Sequence, residues 1–189
     1  MTARSQRIVS VLTNALNPFF IFTALYALVA FVDAGFSGGG FLAVEVLAAV
    51  AVAGYVLFMR RRSRVGDFWI SIRAERLTPA LFLLTAFIVL LAVLFLLEAP
   101  RDLFLLTLSM GLASAVVALV TLLWKASAHC TVAGHAAAAG LLLLGPSGLI
   151  FPLILPLVIL ARVAQGAHTL LQTLVGAAIG AGFAVVFLS

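Results

Sequence analysis

Charged residues are scarce in this chain. Only 9% of its 189 residues are charged, against roughly 25% in an ordinary soluble domain, and 65% are hydrophobic. Apolar runs near the length needed to cross a bilayer, about 20 residues, cover most of the sequence. This composition excludes a soluble domain. It predicts an all-α, polytopic transmembrane helix bundle in which residues 1–189 form a single integral membrane domain.

Cysteine and acidic residues are also scarce. The one cysteine, Cys130, excludes an intramolecular disulfide. The chain has six acidic residues and eleven Lys and Arg residues, which gives a net charge of +5. Because no basic patch with interleaved aromatic residues occurs, we expect no nucleic-acid partner. The excess of positive charge is instead interpreted as a topology signal and as the basis of an anion-binding site.

Turn residues divide the apolar sequence into seven segments. Asn17-Pro18 precedes the first segment, and the run at 145–148, Gly-Pro-Ser-Gly, separates the fifth from a short sixth. Pro152 and Pro156 predict that the sixth segment is kinked or irregular. We therefore expect about six to seven spans, at about 18–34, 41–59, 79–97, 103–124, 130–145, 149–161 and 169–188.

The basic residues are distributed unevenly between the two sides that these spans imply. If the segments cross in alternation, only Arg101 lies opposite the N-terminus. Positive charge marks the cytoplasmic side, so we expect the N-terminus and the candidate site to be cytoplasmic, in the cell inner membrane. The residues on the N-terminal side are Arg4, Arg7, Arg60, Arg61, Arg62, Arg64, Arg73, Arg76, Lys125 and Arg162.

Three separated polar segments, 60–78, 125–135 and 162–172, fall on this same side and contain all three histidines, His129, His135 and His168. Lys and Arg are costly at membrane depth, and the meeting of distant polar segments is typical of a functional site. The alternative is that the histidines are only polar contacts between helices. We favour that alternative for His135.

The last two segments carry patterns that resemble a known family. Two patterns resemble motifs of the type 2 phosphatidic acid phosphatase (PAP2) superfamily. The third motif is matched by Arg162-x5-His168, followed by a small-residue helix at 175–180. The second motif is matched by Ser127-Ala128-His129. That family's motifs are K-x6-R-P, P-S-G-H and S-R-x5-H-x3-D. The resemblance covers roughly residues 60–185 and implies a PAP2-like core.

The resemblance is incomplete at three places. Arg73 and Arg76 supply cations before a proline, without the spacing of the first motif. Ala126 and Ala128 replace the Pro and Gly of the second motif. Gln172 stands where the family has Asp, which leaves the histidine without a charged partner.

The resemblance also implies a mechanism. His168 would be the nucleophile, His129 would protonate the leaving oxygen, and Gln172 would orient the His168 ring. No metal and no cofactor is required. The phosphate would be held by Arg162, Lys125, Ser127, Arg73 and Arg76.

The predicted function is that of a lipid phosphate or isoprenoid (di)phosphate phosphatase, with a membrane lipid as its partner. The alternative, motivated by Gln172, is a non-catalytic PAP2-like protein that binds or transports an anionic lipid. Two further readings are rejected. Ser147, in a G-x-S-G-like run, is expected on the side opposite His168, and the His and Cys spacing matches no zinc pattern.

Overall fold

The structure is a computed structural model that describes residues 3–68, 70 and 72–189, without the side chains of residues 3–6, 8 and 73. The described part is helical and contains no strand. Three short 3₁₀ turns occupy Gly35–Ser37, Arg73–Glu75 and Gly145–Leu149. The α-helices are α1 (Ala3–Ala15), α2 (Pro18–Ala34), α3 (Gly38–Arg61), α4 (Leu77–Leu96), α5 (Arg101–Leu123), α6 (Ala128–Leu144), α7 (Ile150–Ala164) and α8 (Leu170–Leu188).

Each of the seven predicted apolar segments is a helix, α2 to α8. Within the described residues, five helical stretches are long and apolar enough to cross a membrane, and two of them contain turns that divide them into separate helices. The chain is therefore an all-helical integral membrane protein. Helix α1 was not predicted, because its residues are too polar for a span. It packs against α7.

The Asn17-Pro18 signal marks the start of α2 for a local reason. The Asn17 side chain accepts a hydrogen bond from the Phe20 N–H at 3.0 Å, and Pro18 occupies the first helical position, where no N–H is needed. Gly35, with φ of 55°, ends the same helix in a conformation that side chains disfavour. Local chemistry thus sets both ends of α2.

Helix α6 lies at the centre of the bundle, in contact with α2, α5, α7 and α8. Its many Ala and Gly residues let neighbouring backbones approach closely. Gly180 of α8 lies against the backbone of Thr131, and Gly134 of α6 lies against the backbone of Ala177. These contacts bring α6 and α8 closer than larger residues would permit.

The first residues of α6 and α8 are also joined directly. The Ser127 N–H donates to the Gln172 carbonyl oxygen at 3.3 Å, and Gly176 lies against the Ser127 carbonyl. His129 and His168 each lie within a turn of this junction. The packing of α6 on α8 therefore brings the two histidines to the same end of the bundle.

His135 lies deeper in the bundle and bridges two helices. Its ring is fully buried, its Nε2 is 2.8 Å from the Ser109 hydroxyl of α5, and its ring contacts that of Phe22. This environment supports the interpretation of His135 as a polar contact between helices.

Candidate functional site

A cavity of about 460 Å³ lies between α2, α3, α4, α5 and α6. Most of its wall is apolar, with Phe22, Val52, Leu83, Phe87 and Val117 among the lining residues. Four basic or imidazole side chains also line it: Arg76, His129, Arg162 and His168. Each of these four lies at or near the end of a helix, and these ends share one side of the bundle. The cavity therefore combines a cationic mouth with an apolar body.

Arg162 lies in the last turn of α7, with its guanidinium turned into the protein. The residue is 6% exposed, and its Nη1 donates to Gln165 Oε1 at 2.9 Å. Its Nε has no hydrogen-bond partner among the described residues. A buried guanidinium with a free donor is suited to an anionic oxygen entering the cavity.

Arg76 reaches the cavity from the connection between α3 and α4. It immediately precedes α4, and its Nε donates to the Ile70 carbonyl oxygen at 2.9 Å. Burial lowers the pKa of Arg76, while the nearby Asp67 carboxylate opposes that effect. One anchored nitrogen thus holds the guanidinium at the mouth of the cavity.

Lys125 is half-buried in the connection between α5 and α6 and is not among the described residues that line the cavity. Its pKa is lowered first by burial and then by repulsion from Arg76 and Arg162, with Asp67 opposing. The repulsion indicates that the three cations are close to one another. An anion at this point would relieve it.

His168 is buried in the connection between α7 and α8, and its Nδ1 has no hydrogen-bond partner among the described residues. Burial lowers its pKa to about 4, and Arg162, Lys125 and Arg76 add to the effect, whereas a hydrogen bond with Gln172 opposes it. The ring is consequently neutral at neutral pH, with a lone pair available for nucleophilic attack.

Gln172 has a local structural role besides its contact with His168. Its Oε1 accepts from the Thr169 N–H at 3.1 Å, and the Thr169 hydroxyl accepts from the Gln172 N–H at 3.3 Å. This reciprocal pair is a capping box, which begins α8. The sequence analysis missed the Thr-x-x-Gln pattern that signals it.

Ser127 and Arg73 differ from the other predicted phosphate ligands. Ser127 is fully buried, and its hydroxyl accepts from the Cys130 N–H at 3.4 Å as the N-cap of α6. It is not among the described residues that line the cavity. The side chain of Arg73 lies outside the described residues. The structure brings together the remaining predicted set: Arg76, Lys125, His129, Arg162 and His168.

The connection between α3 and α4 also contributes apolar residues to the wall of the cavity, which was not predicted from the sequence. Phe68 and Ile70 line the cavity, and the Phe68 ring lies 6.4 Å from that of Phe19 on α2. Within this connection, the Gly66 N–H donates to Glu75 Oε2 at 2.8 Å. Phe68 and Ile70 thus form part of the cavity wall, as Arg76 of the same connection does.

The rejected alternatives find no support in the described part of the chain. Ser147 is exposed at the far end of α6, whose 17 residues span about 25 Å, and its hydroxyl donates to the Leu144 carbonyl. Among the described residues, no group of three or more His, Cys, Asp or Glu is placed to hold a metal ion.

No protein-family model, no curated protein and no solved structure matches the chain.

Proposed function

We propose that this protein binds a lipid phosphate, with the phosphate among the cations at the cavity mouth and the tail in the apolar body, and that it hydrolyses the phosphate ester. One observation carries this proposal. Arg76 and Arg162 line the polar end of an apolar cavity in a membrane protein, and Lys125 lies near enough to both to be repelled by them. An amphiphile with an anionic head and a hydrocarbon tail matches both parts of that cavity.

The electrostatics favour phosphate as the head group. Three cations that repel one another, with the Asp67 carboxylate nearby, create a positive site that an anion stabilises. Guanidinium groups bind phosphate oxygens through paired N–H donors, while an ammonium acts as a point charge. Arg162, with its Nε free of partners among the described residues, supplies such donors at the cavity wall.

The hydrolytic step uses the two histidines in the roles that the PAP2 resemblance implies. His168, as a neutral imidazole, attacks phosphorus and forms an N–P bond as the bond to the lipid oxygen breaks. His129 gives a proton to that departing oxygen. Water then gives a proton to His129 and attacks the phosphohistidine; the N–P bond breaks, inorganic phosphate leaves, and both histidines return to their starting states. The steps balance without a metal or redox partner.

The proposed orientation places the site at the cytoplasmic face, with α2 to α8 as seven spans and the N-terminus inside. It rests on the Arg-rich end of α3 and the connection after it, because basic loops are retained in the cytoplasm. A cysteine substituted for the exposed Arg64 should stay unlabelled by a membrane-impermeant maleimide added outside intact cells. Labelling of the cysteine at position 64, with no labelling of a cysteine that replaces Glu98, would show the opposite orientation to the one proposed.

Gln172 provides the test of catalysis. Wild-type protein should release phosphate slowly from a panel of phosphatidate, prenyl phosphate and prenyl diphosphate. Gln172→Asp should raise the rate by about tenfold or more, because a carboxylate beside His168 stabilises the positive charge that the ring acquires as its nitrogen bonds to phosphorus. Gln172→Asn shortens the side chain as Gln172→Asp does but adds no charge, so the rate of phosphate release should not rise.

A non-catalytic lipid-binding protein is the second candidate. The observation in its favour is that Gln172 is uncharged and engaged in the capping box of α8. Tight binding of the panel without phosphate release, in both wild type and Gln172→Asp, would favour this candidate over the phosphatase.

A further inference from the structure

A carboxylate lies inside the apolar part of the cavity wall. Glu45, on α3, lines the cavity and is only 4% exposed. An acidic residue within an apolar membrane helix is costly and is retained chiefly where it has a function. Glu45 belongs to none of the groups that bind or attack the phosphate, so its role requires another explanation.

Only half of the Glu45 carboxyl group is satisfied within the protein. Its Oε1 accepts a hydrogen bond from the Thr23 hydroxyl at 3.0 Å, which links α3 to α2. Its Oε2 is buried and has no hydrogen-bond partner among the described residues. A buried polar atom without a partner is destabilising, so a ligand that supplies the partner is favoured.

The depth of this group separates it from the phosphate-binding end. Thr23 lies five residues beyond Pro18, the first residue of α2, which corresponds to about 8 Å along the helix. Pro18 itself lines the cavity, and by the alternation of spans the start of α2 lies on the same side as Arg76 and Arg162. A ligand atom beside the Glu45 carboxyl therefore belongs to the tail of the lipid.

We propose that Glu45 recognises a hydroxyl group on the lipid tail, so that the ligand is a hydroxylated lipid phosphate and not one with a plain hydrocarbon tail. This inference rests on the proposed function, because it takes the phosphate to bind at the mouth. A hydroxyl both donates and accepts, so it can pair with Oε2 whether the carboxyl is ionised or protonated. An ester carbonyl fits only the protonated form, and an ammonium fits only the ionised form.

The test is a scan of hydroxyl position. Octadecyl phosphate is compared with octadecyl phosphates that carry one hydroxyl, moved one carbon at a time along the first half of the chain. Each competes with a fluorescent alkyl phosphate for the purified protein in micelles. At one position the hydroxyl should tighten binding about three- to tenfold, the usual net value of one hydrogen bond.

Two variants assign that gain to Glu45. Glu45→Leu should lose the preference while still binding plain octadecyl phosphate, and Glu45→Gln should retain most of it, because an amide also donates and accepts. Equal wild-type binding at every position would overturn the inference and leave the proposed function standing. A preference that survives in Glu45→Leu would overturn it as well. Failure of every alkyl phosphate to bind would overturn both proposals.

Discussion

Replacing His168 with Gln should abolish phosphate release from lipid phosphates, with a loss on the order of 10³-fold or more, as for removal of other nucleophiles. Glutamine fills much of the same space and keeps hydrogen-bonding capacity, but it has no ring nitrogen to attack phosphorus. The low pKa of His168, about 4, makes the imidazole neutral and ready to attack at neutral pH. The measurement is release of inorganic phosphate by purified protein.

His135→Gln is the matched control for this experiment. It makes the same chemical change in a histidine that faces Ser109 and is not among the described residues lining the cavity. We expect it to leave turnover nearly unchanged. Brief incubation with radiolabelled substrate should also leave acid-labile, alkali-stable label on the wild type and none on His168→Gln. Hydrolysis that persists in His168→Gln would exclude His168 as the nucleophile.

Gly180→Ala should destabilise the protein by about 1–3 kcal/mol, which lowers the melting temperature by roughly 2–12 °C. A Cβ at this position would overlap the Thr131 carbonyl oxygen and lie 2.8 Å from the His135 backbone nitrogen. Both neighbours are backbone atoms of α6, so no side-chain rotation relieves the contact, and α6 and α8 have to separate. Thermal unfolding in detergent measures the effect.

Gly182→Ala, on the same helix, is the control. A Cβ at Gly182 would meet nothing within 4 Å, so the substitution changes helix propensity without changing packing. It should leave the melting temperature unchanged or slightly higher. Gly180→Ala should in addition lose phosphate release, since separating the two helices also separates His129 from His168. Equal melting temperatures for the two variants would contradict the close packing of α6 on α8.

The sequence was sufficient to predict the helices because their signals are local. Seven apolar segments bounded by turn residues became α2 to α8, and Asn17-Pro18 marked the start of α2, where the structure shows Asn17 as the N-cap. Helix α1 was missed because its residues are too polar to be recognised by a search for apolar spans. The capping box of Thr169 and Gln172 is equally local, and its Thr-x-x-Gln pattern is present in the sequence although it was not predicted.

The arrangement of the candidate site was predictable only in part. Alternation of spans predicted that Arg76, Lys125, Arg162 and the polar segments with His129 and His168 share one side, because connectivity alone dictates which helix ends meet. It could not distinguish side chains that face the cavity from those that face away. Ser127, in the same segment as His129, is turned into the contact with α8 and caps α6.

By itself, the sequence determined that the protein is a helical membrane protein with its cations concentrated at one end, because hydropathy and charge are properties of the residues themselves. Only the tertiary structure decided that an apolar cavity of about 460 Å³ lies behind those cations and that Glu45 is in its wall. The physical reason is that a cavity is space left between helices. Its shape depends on how closely they pack, and here Gly180 lets α8 lie directly against the backbone of α6.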